Sequence, residues 1–390
     1  MPTFFRTDTN MKILHLIIDH QVIERTLSIY ETVFPNSNTT LIFGNKPFKH
    51  LNRHASCRII NYKNLNAFRK SFNYSEFDYI IAHYLTWEMI DFIESAPKSI
   101  HIQWEIYGFD LYNQFLAHFG YKVSSIDSVK YDNPKVRVLK KFGIYGFLNY
   151  IKTGYKMDIP FLCKKYFSKI TSRLNSIAVG CSADALLLEQ YSGKTFITCR
   201  AFNYSLKETL GDLYDSPFHD GSSILIGNSA SFSNNHFYIL NYLKHLCKKD
   251  VSLIIPISYG GNSNYVFDVI NSYEKSFPNC VTFIKNYIPL HEYNKLFLNI
   301  CTMILASWRQ ESIGTIIMGL YLGIKIYMSE RSPLYSSLKD EGFILFTLEN
   351  SDNKSFNTPL TVNQKNHNRN LLLKLYNEES IETELRKHFL

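Results

Sequence analysis

The sequence predicts an α/β protein built from two Rossmann-like, doubly wound parallel sheets that face a common cleft. Short β-branched runs alternate with longer stretches of helical period along the chain, which is typical of βα units. The length of 390 residues suits two domains of ordinary size. Hydrophobic residues make up 45% and charged residues 19%, a balance that excludes a disordered or collagen-like chain.

The first series of strands is short and rich in Ile, Leu, Val and Phe. We expect these strands at residues 12–18, 39–43, 58–61, 78–82, 99–102, 176–179 and 195–198. A helix at residues 183–191 separates the last two. Each run is long enough for a buried strand and too short for a helix.

The second series is more regular. Its strands are expected at residues 223–226, 251–257, 281–284, 302–306, 325–328 and 344–346. The helices between them are expected near residues 234–248, 262–277, 290–299, 316–322 and 334–341. The alternation again predicts a parallel sheet with a helix after each strand.

A turn-rich segment at residues 211–221 (GDLYDSPFHDG) lies between the two series. It divides the chain into an expected first domain at residues 11–210 and a second at residues 221–360. Residues 361–390 form an expected tail, helical from about residue 370. In open α/β sheets of this kind, ligands bind beyond the carboxyl ends of the strands, so the loops there carry the candidate functional residues.

Composition also excludes several classes of protein. The seven cysteines form no C-x-x-C pair, which argues against a zinc ribbon and for reduced thiols in a cytoplasmic protein. No window approaches the apolar length of a membrane-spanning helix, and the first apolar run, at residues 13–18, is too short for the core of a signal peptide. The net charge of +8 favours an anionic ligand or surface.

That charge is concentrated in one stretch, residues 129–173, which we call the basic aromatic segment. It holds eleven Lys and Arg residues against two Asp, interleaved with aromatic side chains. Basic and aromatic side chains together suit the headgroup layer of an anionic membrane, so docking to such a surface is the favoured interpretation. The alternative is a solvated helical face with its aromatics in the core. Nucleic-acid binding is disfavoured because no known nucleic-acid module accompanies the charge.

Polar clusters follow several strands of the second series, where a βα domain would hold a nucleotide. We assign eleven residues to this nucleotide site, which is called the donor-binding site below. They are Gly227, Asn228, Ser229, Asn234, His236, Pro256, Tyr259, Arg309, Gln310, Gly314 and Thr315. Glycine at a strand end permits close approach of a ligand, and amide and hydroxyl groups near a helix start suit a phosphate. Asn and Ser are also common helix caps, so each cluster alone has a plain structural explanation.

The cluster after the strand at 302–306 is the most informative. Arg309 can neutralise a diphosphate, while Gly314 and Thr315 offer N–H groups and a hydroxyl at the positive end of an apolar helix. No G-x-G-x-x-G, Walker loop or D-x-D is present, so a dinucleotide cofactor, a P-loop and a bound metal ion are not expected. An arginine and a helix dipole would then stabilise a departing diphosphate. This is the chemistry of a metal-independent nucleotide-sugar transferase of the GT-B type.

At these residues the sequence resembles glycosyltransferase family 56, the 4-alpha-L-fucosyltransferase family. The stretches that carry the resemblance are residues 104–112 (WEIYGFDLY), 224–229 (ILIGNS), 233–236, 256 and 259, and 309–315. The order and spacing agree over nearly the whole chain from about residue 11. The sequence departs from the family pattern at Glu105, where a His is expected, and at residues 260–261 and 311–312.

The resemblance implies transfer of an acetamido-dideoxyhexose, similar to N-acetylfucosamine, from a TDP-sugar. The implied acceptor is a polyprenyl-diphosphate-linked saccharide of common-antigen or O-antigen synthesis. The implied location is the cytoplasmic face of the bacterial inner membrane, where the protein would be peripheral. The basic aromatic segment suits that location.

A GT-B transferase takes any general base from acceptor-domain loops. The candidates, in order, are Asp110, His83 and Asp19, with His20 beside Asp19. Trp104, Glu105, Tyr107 and Gly108 are expected on the acceptor side. A base must reach the acceptor hydroxyl, so geometry decides before pKa. Asp110 could instead cap a helix and His83 could be structural. If the reaction retains configuration, no base is needed and Arg309 with the helix start carries most of the chemistry.

Two other functions remain open at the level of sequence. A nucleotide-sugar 2-epimerase shares the GT-B scaffold but needs paired carboxylates and no membrane surface. A non-catalytic subunit could bind a nucleotide sugar or scaffold a polysaccharide assembly complex. The intact Arg309, Gly314 and Thr315 favour the transferase over both.

Overall fold

The structure, a computed structural model, describes most of the chain. The described residues are 11–20, 22–44, 47–51, 58–60, 65–131, 144, 146, 148, 159–201, 205–247 and 251–389. The chain divides into two compact units. The first contains Met1–Tyr121, Gly143–Tyr204 and Glu378–Leu390, and the second contains Lys122–Phe142 and Ser205–Asn377.

The strands of the described residues are β1 (Ile13–Ile17), β2 (Asn38–Phe43), β3 (Arg58–Ile60), β4 (Tyr79–His83), β5 (His101–Glu105), β6 (Ser176–Val179), β7 (Ile197–Arg200), β8 (Ser223–Ile226), β9 (Ser252–Pro256), β10 (Val281–Ile284), β11 (Ile300–Leu305), β12 (Lys325–Met328) and β13 (Phe346–Thr347).

The α-helices of the described residues are α1 (Ile23–Val33), α2 (Leu65–Ser71), α3 (Trp87–Ile93), α4 (Phe109–Tyr112), α5 (Ile126–Val129), α6 (Pro160–Arg173), α7 (Ser182–Ser192), α8 (Leu206–Leu210), α9 (His236–Leu246), α10 (Ser263–Ser276), α11 (Leu290–Leu296), α12 (Ile313–Leu322), α13 (Pro333–Asp340), α14 (Asn353–Asn357), α15 (Val362–Tyr376) and α16 (Glu378–Phe389).

The first unit is built on a sheet of seven strands in the order β3-β2-β1-β4-β5-β6-β7, all parallel. The central strand β1 (ILHLI) is buried along its whole length. Such a strand must be apolar on both faces because helices cover both sides of a parallel sheet. The polar His15 is therefore an exception, and its partners are described with the site below.

The second unit is built on a six-stranded sheet in the order β10-β9-β8-β11-β12-β13, also all parallel. Its core joins the strand side chains to α9 and α10 through Leu243, Tyr265 and Val269. Both sheets have the doubly wound order that reverses direction next to the first strand, at β1 and at β8. The α/β class and the two-sheet organisation expected from the sequence are confirmed.

The expected division of the chain needs two corrections. Residues 122–131 lie in the second unit, because the Ser125 N–H donates to Asn235 Oδ1 at 2.8 Å and Tyr131 donates to Asp268 Oδ2 at 2.7 Å. The tail at 361–390 does not form one piece. Helix α15 stays with the second unit, whereas α16 packs on the first.

The tail also becomes helical earlier than expected. Helix α15 begins at Val362, not near residue 370, because Thr361 and Gln364 form a capping box. In the last helix, α16, the apolar residues Ile381, Leu385 and Phe389 join a core with Tyr30 and Phe34 of the first unit. That apolar stripe explains why α16 belongs to the first unit.

Most of the basic aromatic segment lies outside the described residues, apart from residues 129–131, 144, 146, 148 and 159–173. Its final part is α6, which begins at Pro160 as its first residue and buries Tyr166, Phe167 and Ile170. Among the helices that the structure describes, none has the length and apolar character needed to span a bilayer.

Candidate functional site

The loop after β8 forms a compact turn at the carboxyl edge of the second sheet. Gly227 has a φ of +66°, and a side chain there would come within 2.7 Å of Asn234 Oδ1. That same oxygen accepts the Asn228 N–H at 2.9 Å, and Asn234 Nδ2 donates to Ser229 Oγ at 3.1 Å. The sequence therefore uses a glycine here because Asn234 occupies the space and holds the turn closed.

The loop after β9 packs directly against that turn. The Ala230 N–H donates to the Tyr259 carbonyl at 2.8 Å. A Cβ on Gly260 would lie 2.8 Å from Ser231 N, and one on Gly261 would lie 2.4 Å from the Ala230 carbonyl oxygen. The two glycines thus allow a backbone-to-backbone contact that leaves the Tyr259 side chain 57% exposed at the edge of the sheet.

Arg309 and Glu311, in the loop after β11, form an ion pair through Arg309 Nη2 and Glu311 Oε2. The Glu311 carboxylate also accepts Ser233 Oγ at 2.8 Å and Asn234 Nδ2 at 3.3 Å, and it accepts the Ser307 hydroxyl. Glu311 thus ties the loop after β8 to the loop after β11 and holds the Arg309 side chain in place. The sequence interpretation treated Glu311 only as a departure from the family pattern and missed this role.

Helix α12 begins directly after this ion pair. Ser312 has a φ of +66°, and its carbonyl accepts the Ile316 N–H at 3.0 Å. The residues of the first turn, including Gly314 and Thr315, are only partly buried. The first N–H groups of a helix have no partner within the helix and carry the positive end of its dipole, so this end can hold an anion.

Three further residues assigned to donor binding, His236, Pro256 and Gln310, are buried, as are Gly227, Ser229 and Asn234 of the turn described above. His236 is fully buried, with Nδ1 2.9 Å from the Tyr265 hydroxyl, and burial lowers the pKa of its imidazole to about 4. Pro256 is the last residue of β9 and is buried in the strand. Gln310 is 5% exposed. These three therefore shape the loops from inside, in contrast to Tyr259 and Arg309.

In the first unit, Asp110 is fully buried. Its Oδ2 accepts the Trp104 Nε1–H at 2.8 Å and the Leu85 N–H at 3.1 Å, and its Oδ1 accepts the Tyr107 N–H at 3.0 Å. Burial raises the pKa of this carboxyl to about 6, although the hydrogen bonds oppose that shift. Asp110 accepts three protein donors and has no exposed surface, so the geometry does not favour it as a base.

His83 and Glu105 are also buried, within a polar chain that crosses the sheet. His83 Nε2 lies 2.9 Å from His15 Nδ1, and His83 Nδ1 lies 3.2 Å from Glu105 Oε2. The Tyr30 hydroxyl donates to Glu105 at 3.3 Å, and Gln103 Nε2 donates to that hydroxyl at 3.3 Å. Trp104 is buried between them and Asp110. His83 therefore faces other side chains, and the geometry does not favour it as a base.

Asp19 closes the loop that follows β2. Its carboxylate accepts backbone N–H groups of Lys49 at 2.6 Å, His50 at 3.0 Å and Leu51 at 3.2 Å. These three bonds give the Asp19 carboxylate a structural role in holding this loop. Of the acceptor-side assignments, Tyr107 stays partly exposed, whereas Trp104, Glu105 and Gly108 are buried.

The structure adds one acidic residue that the sequence did not point to. Asp184, in the first turn of α7, is fully buried and accepts the Tyr112 hydroxyl at 2.5 Å. Burial raises the pKa of this carboxyl to about 7. In the described part of the chain, no three His, Cys, Asp or Glu residues come together in the arrangement that a metal ion needs.

Comparison with known protein families finds a match within the second unit. Residues 205–365 match the family described as 4-alpha-L-fucosyltransferase glycosyl transferase group 56. The matched range contains every loop of the donor-binding assignment, so the resemblance to family 56 is confirmed over this part of the chain.

Solved structures of low sequence identity share the whole fold. HepE of Anabaena in complex with UDP-glucose is 12% identical with a TM-score of 0.62, covering 97% of this chain and 99% of its own. Sucrose-phosphate synthase of Thermosynechococcus elongatus is 11% identical with a TM-score of 0.62, covering 97% and 98%. A glycosyltransferase of Rickettsia africae is 12% identical with a TM-score of 0.60, covering 97% and 98%. The GT-B fold expected from the sequence is therefore confirmed.

Proposed function

We propose that this chain, a GT-B glycosyltransferase whose residues 205–365 match group 56, transfers an N-acetylfucosamine-like acetamido-dideoxyhexose from a TDP-sugar. The acceptor in this proposal is a polyprenyl-diphosphate-linked saccharide used for a bacterial surface polysaccharide, either common antigen or O-antigen. The enzyme would act as a peripheral protein at the cytoplasmic face of the inner membrane.

The observation that carries the donor assignment is the arrangement of Arg309 beside the start of α12. A guanidinium, a helix amino end and the hydroxyls of Ser229, Ser231 and Thr315 lie on loops at one edge of one sheet. Such a set binds a diphosphate and stabilises the charge that develops on it when the sugar leaves. HepE, which shares the fold, was solved with UDP and with UDP-glucose, which supports a nucleotide-sugar donor.

In this mechanism the bond from the sugar C1 to the diphosphate oxygen breaks, and the electron pair leaves with the diphosphate. Arg309 is held by Glu311 before the reaction, and the first N–H groups of α12 are fixed by the helix itself, so they need little rearrangement when the charge appears. No metal ion or cofactor has a part in the proposal.

The described end of the basic aromatic segment supports a membrane location. On α6, Phe161 is 74% exposed and the neighbouring Lys164 and Lys165 are also exposed. Further along the helix, Lys169 donates to Glu94 at 2.6 Å. Exposed Phe and Lys on one helix end suit an anionic bilayer surface, to which each Lys adds about 1 kcal/mol of attraction.

The test is calorimetric binding of TDP and UDP to the purified protein, first with EDTA and then with magnesium. We expect TDP to bind in EDTA and the Arg309→Ala variant to lose at least about a hundredfold in affinity, since a charge-assisted, partly buried contact disappears. Arg386→Ala is the matched control, because Arg386 is also ion-paired, to Glu382 at 3.0 Å, but lies on α16 of the first unit.

A preference for UDP would leave the fold and the reaction class in place and reject the TDP-sugar. If neither nucleotide binds, the donor site is wrong. Once TDP binding is established, transfer is tested with TDP-N-acetylfucosamine and lipid-linked saccharides extracted from bacterial membranes. Vesicles of anionic and of neutral lipid, compared for co-sedimentation of the protein, test the location; equal binding to both would reject the electrostatic docking.

A further inference from the structure

Four rings come together on the loops that follow β1, β4 and β5 of the first unit. We call His20, Tyr84, Tyr107 and Phe109 the ring cluster. The His20 ring lies 5.5 Å from Tyr84 and 5.6 Å from Tyr107, centroid to centroid. Tyr84 in turn lies 6.2 Å from Tyr107 and 6.1 Å from Phe109, with which it is stacked at an interplanar angle of 9°.

The ring cluster is at the carboxyl edge of the sheet and is only partly covered. Phe109 is 40% exposed, and the other three side chains are intermediate in exposure. The sheet order reverses next to β1, which pairs with β2 on one side and β4 on the other. The loops after β1 and β4 therefore flank the switch point, where open α/β sheets bind their ligands.

Tyr84 is held in an unusual backbone conformation. Its φ is +55°, in the left-handed region that a bulky residue rarely adopts. Such a conformation costs of the order of 1–3 kcal/mol and persists only where the surroundings enforce it. The Tyr84 N–H donates to the Glu105 carbonyl at 3.4 Å, so the buried end of β5 holds this turn. This backbone conformation brings the Tyr84 ring close to both His20 and Phe109.

His20 is the member of the cluster that can take a proton. Its Nδ1 is buried and has no hydrogen-bond partner among the described residues, so Nε2 is the ring nitrogen left to accept a proton from a ligand. The adjacent carboxylate of Asp19 is occupied by the backbone N–H groups of residues 49–51. Burial, and then the charge of His50, lower the pKa of His20 to about 4, while Asp19 opposes that shift. The imidazole is therefore neutral near pH 7, as a general base must be.

We propose that the ring cluster binds a pyranose ring of the acceptor saccharide and that the His20 imidazole accepts the proton of the attacking hydroxyl. Aromatic faces pack against the apolar C–H face of a sugar, and a neutral imidazole accepts a hydrogen bond from its hydroxyl. This inference rests on the proposed function, since it places the acceptor of that reaction. In this proposal the general base is His20, in place of Asp110, His83 or Asp19.

The chemical step balances without another reactant. The acceptor oxygen forms its bond to C1 of the donor sugar as its proton passes to His20. The C1–O bond to the diphosphate breaks, and the diphosphate keeps the bonding electrons. The imidazolium then releases its proton to water. A single displacement of this kind inverts the configuration at C1, so the proposal also predicts an inverting enzyme.

The first test is kinetic, with TDP-N-acetylfucosamine as donor and membrane-extracted lipid-linked saccharide as acceptor. We expect His20→Gln to lower kcat by about 10²–10⁴ while the affinity for TDP is unchanged. His101→Gln is the matched control, because burial lowers the pKa of His101 to about 4 as well, but His101 lies at the amino end of β5. A kcat for His20→Gln within about twofold of the wild type would overturn the base assignment.

The second test measures acceptor binding at the ring cluster, first from KM and then by NMR without turnover. Phe109→Ala removes an exposed ring and should fold, and we expect it to raise the acceptor KM about tenfold without changing TDP affinity. Phe109→Tyr, which restores the ring, should return KM to the wild-type value. Saturation-transfer NMR with the same saccharide extract and no donor should lose its signal in Phe109→Ala.

An unchanged NMR signal in Phe109→Ala would overturn the acceptor site. This outcome is distinct from failure of the proposed function, which would appear as loss of TDP binding in the wild-type protein. Retention of configuration in the product, read by NMR of the anomeric proton, would also overturn the role of His20.

Discussion

The carboxyl edges of the two sheets have the same architecture but differ in how completely their charged side chains are buried. In the first unit, Asp110, Asp184, His83 and Glu105 are all buried to within 1% of completeness and are engaged with other side chains or backbone. In the second, the Arg309 side chain keeps 13% of its surface exposed beside a helix start.

This difference shows that a polar residue after a strand is not by itself a sign of chemistry. Burying an ionisable group is costly unless hydrogen bonds satisfy it, so the first unit uses its acids to fix loop geometry. The second unit places a cation that is paired with Glu311 next to the partly exposed start of α12. In our proposal the functional surface of the first unit is the ring cluster, beside these buried acids.

The largest effect should follow from Asp110→Ala. This change leaves the N–H groups of Leu85, Tyr107 and the Trp104 indole buried without their acceptor. Each such donor costs about 1–3 kcal/mol, so we expect the free energy of unfolding to fall by about 3–5 kcal/mol. Urea denaturation measures it. An Asp110→Ala protein with wild-type stability and no turnover would contradict the structural role and return Asp110 to the list of bases.

A smaller loss of about 2–3 kcal/mol is expected for Gly261→Ala, through both strain and contact. The Gly261 φ is +54°, and the new Cβ would lie 2.4 Å from the Ala230 carbonyl oxygen. The loops after β8 and β9 must separate, so TDP binding should weaken as well. Gly193→Ala is the control, since its φ is +68° but nothing lies within 4 Å. Equal losses for the two variants would show that the contact between these loops is unimportant.

The buried acid Asp184 makes a prediction about pH. Its folded pKa of about 7 is above the ordinary 3.8, so the folded state binds the proton more tightly than the unfolded state. Its contribution to stability is therefore complete below about pH 4 and is lost as the pH rises through 7. We expect Asp184→Asn to remove about 2 kcal/mol of that decline between pH 5 and 8. Thermal or urea unfolding across this range would contradict the prediction if both proteins declined equally.

The smallest effect is expected for Glu311→Gln. The substitution removes the negative charge that pairs with Arg309, while the amide oxygen can still accept the Ser233 hydroxyl. A diphosphate would then meet an unneutralised guanidinium, so we expect TDP to bind about tenfold more tightly, or about 1.4 kcal/mol.

Glu349→Gln provides the matched control for Glu311→Gln. Glu349 also accepts a serine hydroxyl, that of Ser329 at 2.7 Å, and it lies in the loop after β13. We expect calorimetry to show wild-type TDP affinity for this control. Weaker TDP binding by Glu311→Gln would mean that the carboxylate orients Arg309 more than it competes with the ligand.

The strands could be predicted from sequence because each is a short apolar run bounded by turn residues. Strands β6, β8, β10 and β12 match the expected residues at both ends. The helices were harder at their starts, since a cap depends on one or two residues. Helix α12 begins at Ile313, three residues before the apolar run, because Ser312 adopts a positive φ that no periodicity shows.

In the candidate site, too, some features could be predicted from the sequence and others could not. The positions of the donor loops could be predicted because each polar cluster follows a predicted strand, and Arg309 lies in the loop after β11. That these loops bind a donor stays a prediction. Burial could not be predicted, and it is the observation on which our proposal prefers His20 to Asp110. The motif at residues 104–112 suggested chemistry, whereas the structure uses its Trp104 and Asp110 to hold one another. His20 has no motif at all, and only the three-dimensional position of Tyr84 and Tyr107 distinguishes it.

The return of α16 to the first unit also bears on the order in which the protein can fold during synthesis. Tyr79 donates to the Phe389 carbonyl at 3.2 Å, and His388 Nε2 lies 2.7 Å from Gln103 Oε1. A ribosome makes all of the second unit between these partners. The apolar surface of Tyr30 and Phe34 that α16 covers is therefore exposed until residues 205–377 have been synthesised. A chaperone that binds exposed apolar surface would bind this chain best during that interval.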